Sequence, residues 1–134
     1  MRAAARWSIL TRTRVCGVLG RGGFHFGAKD VFVNIAGGIK VEDPSIELAV
    51  VCALLSSYED KALPSNICLV GEVGLSGEIR AVNRIDQRIA EADKLGMDVI
   101  LIPKANAKGL DMKSYKIEVK TVNKVEDVYR MLFQ

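Results

Sequence analysis

Residues 42–55, EDPSIELAVVCALL, decide how the rest of this chain is organised. The first four of them predict the start of a helix. Pro44 suits the first turn, and Asp43 or Ser45 can accept hydrogen bonds from the free amide groups there. The residues that follow are apolar on nearly every side of a helix, which is typical of a helix buried on more than one face. The sequence therefore predicts a helix in the core.

Outward from this helix, strand-like and helix-like segments alternate. The predicted strands are residues 31–35, 39–41, 67–70, the glycine-interrupted stretch 71–79, 99–102 and 116–122, and the further helices are residues 83–95 and 125–133. The continuous apolar run at 99–102 indicates an interior strand. In the helix at 83–95, the face carrying Ile85, Ile89, Ala92 and Leu95 is expected to be buried. The order β-β-α-β-β-α-β-β-α predicts a single α/β (α+β) domain, a mixed sheet with helices on one face.

Composition excludes several classes of protein. The chain has 134 residues, 49% hydrophobic and 26% charged, which is the balance of one globular domain. Its longest apolar run has eight residues, against the roughly 20 that a membrane helix needs, so we expect no membrane span. Three cysteines are too few for a disulfide framework, and Cys52 and Cys68 lie in apolar stretches where a thiol acts as a small hydrophobe. With a single histidine, His25, and no C-x-x-C pair, we expect no metal site.

The positive charge is concentrated at the start of the chain. Residues 1–29 carry six basic and no acidic residues, so the remaining 13 basic and 16 acidic residues give −3 within a net charge of +3. Such a segment is compatible with a transit peptide, a nucleic-acid-binding arm or the edge of a larger protein. We assign residues 1–20 to an uncertain N-terminal segment and residues 21–134 to the domain.

Three stretches carry a resemblance to a known family. Residues 30–44 (DVFVNIAGGIKVEDP), 71–80 (GEVGLSGEIR) and 84–88 (RIDQR) resemble the C-terminal domain of the RadA (Sms) family of bacterial DNA-repair proteins. That domain is similar to the proteolytic domain of Lon, whose fold resembles domain 2 of ribosomal protein S5. The resemblance implies a Lon-like, S5 domain 2-like fold over residues 21–134.

Lon peptidases use a Ser-Lys dyad, and one member of it is changed here. Under the resemblance, the Lon serine falls on Ser45, whereas the Lon lysine falls on Arg88. A lysine can take the serine proton when burial lowers its pKa, but arginine stays protonated and cannot. We therefore assign no catalytic residue. The alternative role for Ser45 is that of a helix-terminal residue, and Arg88 could be a solvated residue paired with Glu91.

The resemblance also implies what this chain does and what it lacks. The family carries a zinc module and a RecA-like ATPase ahead of this domain, forms a hexameric ring and acts on branched DNA. No phosphate-binding loop is present, since residues 20–23 lack the required lysine and hydroxyl. We therefore expect no cofactor in this chain, with ATP and zinc bound by domains outside it. We expect a homo-oligomer in the bacterial cytoplasm, with a hexamer as the form of the full-length protein.

Three hypotheses for function remain open. The first is a non-proteolytic Lon-like domain that supports ring assembly and binds DNA through Arg80, Arg84 and Arg88. The last two, four residues apart on a predicted helix, would share a face and meet phosphates without reading bases. The second is a peptidase in which Lys40 or Lys61 supplies the base for Ser45. The third is a purely oligomerising scaffold, in which the arginines form an ordinary solvated face.

Overall fold

The computed structural model describes residues 43–134. Its helices and strands, numbered in chain order, are α1 (Glu47–Glu59), β1 (Ile67–Leu69), β2 (Glu72–Val73), β3 (Ile79–Arg80), α2 (Ile85–Lys94), β4 (Val99–Pro103), β5 (Glu118–Val122) and α3 (Val125–Phe133). The strands predicted at residues 31–35 and 39–41, and the boundary between residues 1–20 and 21–134, lie outside the described residues.

The core helix begins where the sequence predicts. Asp43 caps a short 3-10 turn, Pro44–Ile46, and its carboxylate accepts a hydrogen bond from the Ser45 amide at 3.0 Å. Helix α1 follows directly and continues to Glu59, four residues beyond the predicted end at residue 55, because the polar residues after Leu55 remain helical. Asp60 then ends it in the left-handed conformation, at φ 51°.

The main sheet has three parallel strands in the order β1-β4-β5. Ile67 lies opposite Val99 in one ladder, and Val99 lies opposite Glu118 in the other. Strand β4 is therefore central in this sheet, as its continuous apolar sequence predicts. A parallel sheet is normally covered on both faces, so its middle strand can be apolar throughout.

Helices cover both faces of this sheet, which corrects the prediction of helices on one face. Alternate residues of β4 belong to separate apolar clusters. Leu101 packs in the cluster that contains α1 and α3, whereas Ile100 and Ile102 pack in the cluster that contains Ile89 and Ala92 of α2. The predicted face of α2 is buried at Ile89 and Ala92, but Leu95 is 67% exposed because the helix ends at Lys94.

The glycine-interrupted stretch forms a small antiparallel hairpin, β2–β3. Gly77 has φ 81° in the turn, a conformation that glycine adopts without strain. The hairpin is tied to the start of α3, because the Val125 amide donates to the Gly77 carbonyl at 2.9 Å and the Ile79 amide donates to the Asn123 carbonyl at 2.9 Å. The predicted bend is confirmed, and these two bonds attach the turn and β3 of the hairpin to residues 123–125.

The two described cysteines behave as apolar residues. Cys52 is fully buried, and burial raises the pKa of its thiol to about 12. Cys68 is half-buried against the α2 side of the sheet, and burial also raises its pKa. Within residues 43–134, no helix is both long and apolar enough to cross a membrane.

Candidate functional site

Ser45 and Arg88 are in direct contact. Ser45 lies in the 3-10 turn before α1 and is 3% exposed, and its backbone carbonyl accepts from the Gly71 amide at 2.9 Å. Its hydroxyl accepts a hydrogen bond from Nη1 of Arg88, in α2, at 2.9 Å. The structure thus brings together the two positions that the resemblance pairs as a dyad. Ser45 also lies at the start of the helix, as its alternative role has it, although the capping residue there is Asp43.

The Arg88 guanidinium makes two further contacts. Its Nη2 donates to the Asp43 carboxylate at 2.8 Å, and its Nε donates to the Asn83 carbonyl at 2.9 Å. The ion pair is therefore with Asp43, 45 residues away, and not with Glu91 on the same helix. The Arg88 side chain is 30% exposed. Arg88 joins the start of α1 to the start of α2, and its planar, branched donor group suits such a role.

The electrostatics of this contact disfavour proton abstraction from Ser45. The pKa of Asp43 is lowered first by the hydrogen bond from the Ser45 amide and next by that from Arg88, with a smaller contribution from the Ser45 side chain. A carboxylate with a lowered pKa is a weaker base. Arginine remains protonated near neutral pH. Neither of the two side chains that contact the hydroxyl group is therefore suited to activate it as a nucleophile.

Of the two lysines proposed as substitute bases, the structure describes only Lys61, and Lys61 does not lie near Ser45. Lys61 lies beyond the C-terminal end of α1, where its Nζ donates to the Phe133 carbonyl at 3.1 Å. Ser45 lies before the N-terminal end of the same 13-residue helix, which is about 20 Å long at 1.5 Å per residue. Lys61 therefore cannot reach the serine in this arrangement. Lys40 lies outside the described residues.

The three arginines predicted to bind DNA have different surroundings. Arg88 donates to three groups of the protein itself. Arg80, on β3, is 53% exposed and pairs with Glu78 at 3.0 Å and with Glu72 at 3.9 Å. Arg84 is exposed, and its side chain forms no ion pair or hydrogen bond with any residue between 43 and 134.

The expectation that Arg84 and Arg88 share a helix face is wrong. Helix α2 begins at Ile85, and Arg84 is the residue before it, in the left-handed conformation at φ 57°. The sequence pattern placed the helix start near residue 83 because it contains no glycine or proline to mark the turn. Of the three arginines, Arg84 alone has a guanidinium without an ion-pair or hydrogen-bond partner among residues 43–134.

Two supporting residues were missed by sequence reasoning. Glu47 is 5% exposed, and its carboxylate accepts from the Val73 amide at 2.9 Å, which joins α1 to the hairpin. The available signal was an acidic residue directly before the run of eight apolar residues at 48–55. Asn106 lies beyond β4, and its amide group forms hydrogen bonds with both backbone groups of Val82. No local pattern identifies that contact, since the two residues are 24 positions apart.

The described part of the chain offers no obvious metal centre. No group of three or more His, Cys, Asp or Glu side chains between residues 43 and 134 is arranged to hold a metal ion. The arginines of this site can bind an anion, and the hydrogen bonds of Arg88 fix the backbone of the segments around it.

Comparisons with known proteins agree with the resemblance in the sequence. The chain is 43% identical over 113 residues to the DNA repair protein RadA of Streptococcus pneumoniae, which covers 84% of this chain and 27% of that protein. It is 50% identical over 78 residues to the RadA of Listeria monocytogenes, covering 58% and 17%, and 43% identical over 102 residues to that of Bacillus subtilis, covering 76% and 22%. The chain thus spans about a quarter or less of these relatives' length.

A family model described as "ChlI: Subunit ChlI of Mg-chelatase" matches residues 8–106, which is most of the chain. The match includes Ser45, the hairpin, Arg88 and the central strand, and it ends before β5 and α3. The chain belongs to this ChlI-type family.

Proposed function

We propose that this chain is the non-proteolytic, Lon-like domain of a RadA-type DNA-repair protein, where it contributes to ring assembly and contacts DNA. The proposal includes an S5 domain 2-like fold for residues 21–134. ATP and zinc would be bound by other parts of the full-length protein. The support is the similarity to proteins named DNA repair protein RadA and the arrangement of the arginines at the hairpin and the start of α2.

The contact between Arg88 and Ser45 carries the non-proteolytic part of this proposal. An arginine occupies the position from which a lysine would take the serine proton, and its Nη1 donates to the hydroxyl at 2.9 Å. A donor that stays protonated holds the oxygen without making it more nucleophilic. Under this proposal, the contact between Arg88 and Ser45 is structural and not catalytic.

The DNA-binding part depends on Arg80 and Arg84. Both are exposed; Arg80 is the last residue of β3, and Arg84 directly precedes α2. Contacts of this kind position a protein on the phosphate backbone and carry no base specificity. Glu78 and Glu72 reduce the net positive charge around Arg80, so we expect Arg84 to contribute more to binding.

The test is fluorescence anisotropy of labelled single- and double-stranded DNA with the full chain over a salt series. Wild type should bind with an affinity that falls steeply with salt, because phosphate contacts release counterions. R80A and R84A should each weaken binding. R130A is the matched control, since Arg130 is an exposed arginine on α3, and it should retain wild-type affinity.

Two outcomes would contradict the proposal in different ways. If R130A weakens binding as much as R84A does, the effect comes from total charge and not from this segment. If the folded, oligomeric chain shows no binding even at low salt, the domain is an oligomerisation scaffold. Size-exclusion chromatography with light scattering on the same samples measures the oligomeric state.

A further inference from the structure

Arg84 has an unusual backbone conformation for its position. Residues that precede a helix normally have extended φ and ψ values, but Arg84 has φ 57° and ψ 43°. Residues other than glycine, asparagine and aspartate rarely adopt this conformation, because it brings the Cβ too close to the following carbonyl oxygen. Such strain persists only where the surroundings enforce it, and it is concentrated at functional sites.

Hydrogen bonds from two other residues enforce this conformation. Arg88 holds the carbonyl groups on both sides of the strained residue: its Nε donates to the Asn83 carbonyl at 2.9 Å, and its amide donates to the Arg84 carbonyl at 3.1 Å. Asn106 holds the residue two positions before Arg84, because its Oδ1 accepts from the Val82 amide at 2.9 Å and its Nδ2 donates to the Val82 carbonyl at 3.0 Å. We call residues 82–84, fixed in this way, the Arg84 turn.

The Arg88 end of this arrangement is itself fixed. Its guanidinium contacts the Asp43 carboxylate at 2.8 Å and the Ser45 hydroxyl at 2.9 Å, and Ser45 is buried at the start of the core helix. The Arg84 turn is therefore connected to the core on one side and to the loop after β4 on the other. The residue that all these contacts hold in place is an exposed arginine whose side chain has no partner among residues 43–134.

We infer that the Arg84 turn presents the Arg84 guanidinium to a nucleic-acid phosphate, and that Arg88 and Asn106 are positioning residues for that contact. This inference rests on the proposed DNA-binding function. It assigns Arg88 to a role inside the protein, in place of the direct phosphate contact expected from its sequence. Because the backbone of residue 84 is fixed in advance, less conformational entropy is lost when Arg84 binds a phosphate.

The decisive variant is N106A, which changes no charge. If Asn106 positions Arg84, N106A should weaken DNA binding by about three- to tenfold and lower the slope of log affinity against log salt by about one, as R84A does. In the R84A background, N106A should have no further effect, because the contact that it supports is already absent. N66A is the matched control: Asn66 also uses its side chain in a hydrogen bond, to Asp98 at 2.7 Å, but it lies at the start of β1.

Asp43 provides a second test, because a purely electrostatic role and a positioning role predict opposite changes in DNA affinity for D43N. Removing an acidic side chain near a phosphate contact strengthens binding if only overall electrostatics matters. If Asp43 acts by holding Arg88, D43N should instead weaken binding. D86N, on the exposed side of the first turn of α2, should strengthen binding slightly or leave it unchanged. Circular dichroism melts of each variant establish that the protein is folded at the assay temperature.

Failure of the inference can be distinguished from failure of the proposed function. If wild type binds DNA and R84A weakens binding, but N106A binds as wild type does and D43N binds more tightly, the DNA-binding function stands and the positioning role is overturned. If N106A and R84A are fully additive, Asn106 acts elsewhere and the inference is again overturned. If folded wild type does not bind either DNA at low salt, the proposed DNA binding and the inference both fail.

Discussion

The guanidinium of Arg88 donates to the hydroxyl of Ser45 at 2.9 Å, joining residues that lie 43 positions apart. A lysine at position 88 could accept the serine proton, whereas the arginine at this position only donates a hydrogen bond to the hydroxyl. It also connects the start of α1 to the segment that precedes α2, where an exposed, strained arginine lies. One side chain therefore contacts both the hydroxyl group at the start of α1 and the backbone of the segment that carries the proposed DNA contact.

We predict that Ser45 does not react with a fluorophosphonate probe, which labels activated serines. Wild type and S45A should give equally low labelling, because no neighbouring base activates the hydroxyl. R88K should also remain unlabelled, since the Asp43 carboxylate would favour the charged form of the new lysine. Gel fluorescence with a known serine hydrolase as positive control measures this. Labelling of wild type that disappears in S45A would restore the peptidase hypothesis.

We predict that D43N lowers the free energy of unfolding at pH 7 but not in strong acid. The pKa of Asp43 is lowered from 3.8 in the folded state, chiefly by the Ser45 amide and then by Arg88. A lowered pKa gives stability that is present above the unfolded-state value and is lost as the pH falls through the folded-state value. The difference between wild type and D43N should therefore shrink below about pH 4, in urea titrations at a series of pH values. A pH-independent difference would show that the carboxylate charge is not responsible.

We predict that R84G is more stable than R84A by about 1 kcal/mol. Both variants lack the guanidinium, but only glycine adopts φ 57° without strain. The same pair of substitutions at Arg130, inside α3, should give the opposite order, because glycine costs about 1 kcal/mol relative to alanine within a helix. Urea unfolding of the four variants measures both differences. Equal stability of R84G and R84A would mean that residue 84 is not held in the left-handed conformation in solution.

We predict that G71A destabilises the protein by about 1–3 kcal/mol, as overpacking of a core does. A Cβ at Gly71 would lie 2.7 Å from Cγ2 of Ile79, which is buried and branched next to the backbone. Gly74 is the matched control, because a Cβ there would meet the carboxylate end of Glu78, a flexible and partly exposed side chain that can move away. Thermal melts of G71A and G74A should show the larger loss for G71A. The reverse order would indicate that Ile79 lies farther from Gly71 in solution.

Local sequence patterns predicted the helices and strands of the described residues well. The Asp43-Pro44 start of the core helix, the central apolar strand and the glycine bend of the hairpin are all confirmed. These features depend on propensities, capping groups and apolar periodicity within a few residues, so they can be detected without knowing what packs against them. The family resemblance added the pairing of Ser45 with Arg88, which no local pattern contains.

Features that depend on distant neighbours were predicted less well. The placement of helices on one face of the sheet was wrong, because the apolar run of β4 does not say which of its two faces each helix covers. The pairing of Arg88 with Glu91 was wrong, since helical spacing makes a local partner plausible whereas Asp43 approaches only in the folded chain. Arg84 was assigned to the helix because nothing in its immediate sequence indicates a left-handed residue.

The sequence by itself determined the order of the elements in residues 43–134, their apolar core and the presence of an arginine at position 88, because these are properties of single residues and short segments. Only the tertiary structure decided which groups the Arg88 guanidinium holds, that Glu47 and Asn106 bind backbone groups in other segments, and that Arg84 alone of the three arginines is left exposed without a protein partner in residues 43–134. The physical reason is that a side chain's partners are chosen by the packing of elements remote in sequence, and the energy that holds them together is shared among many such contacts.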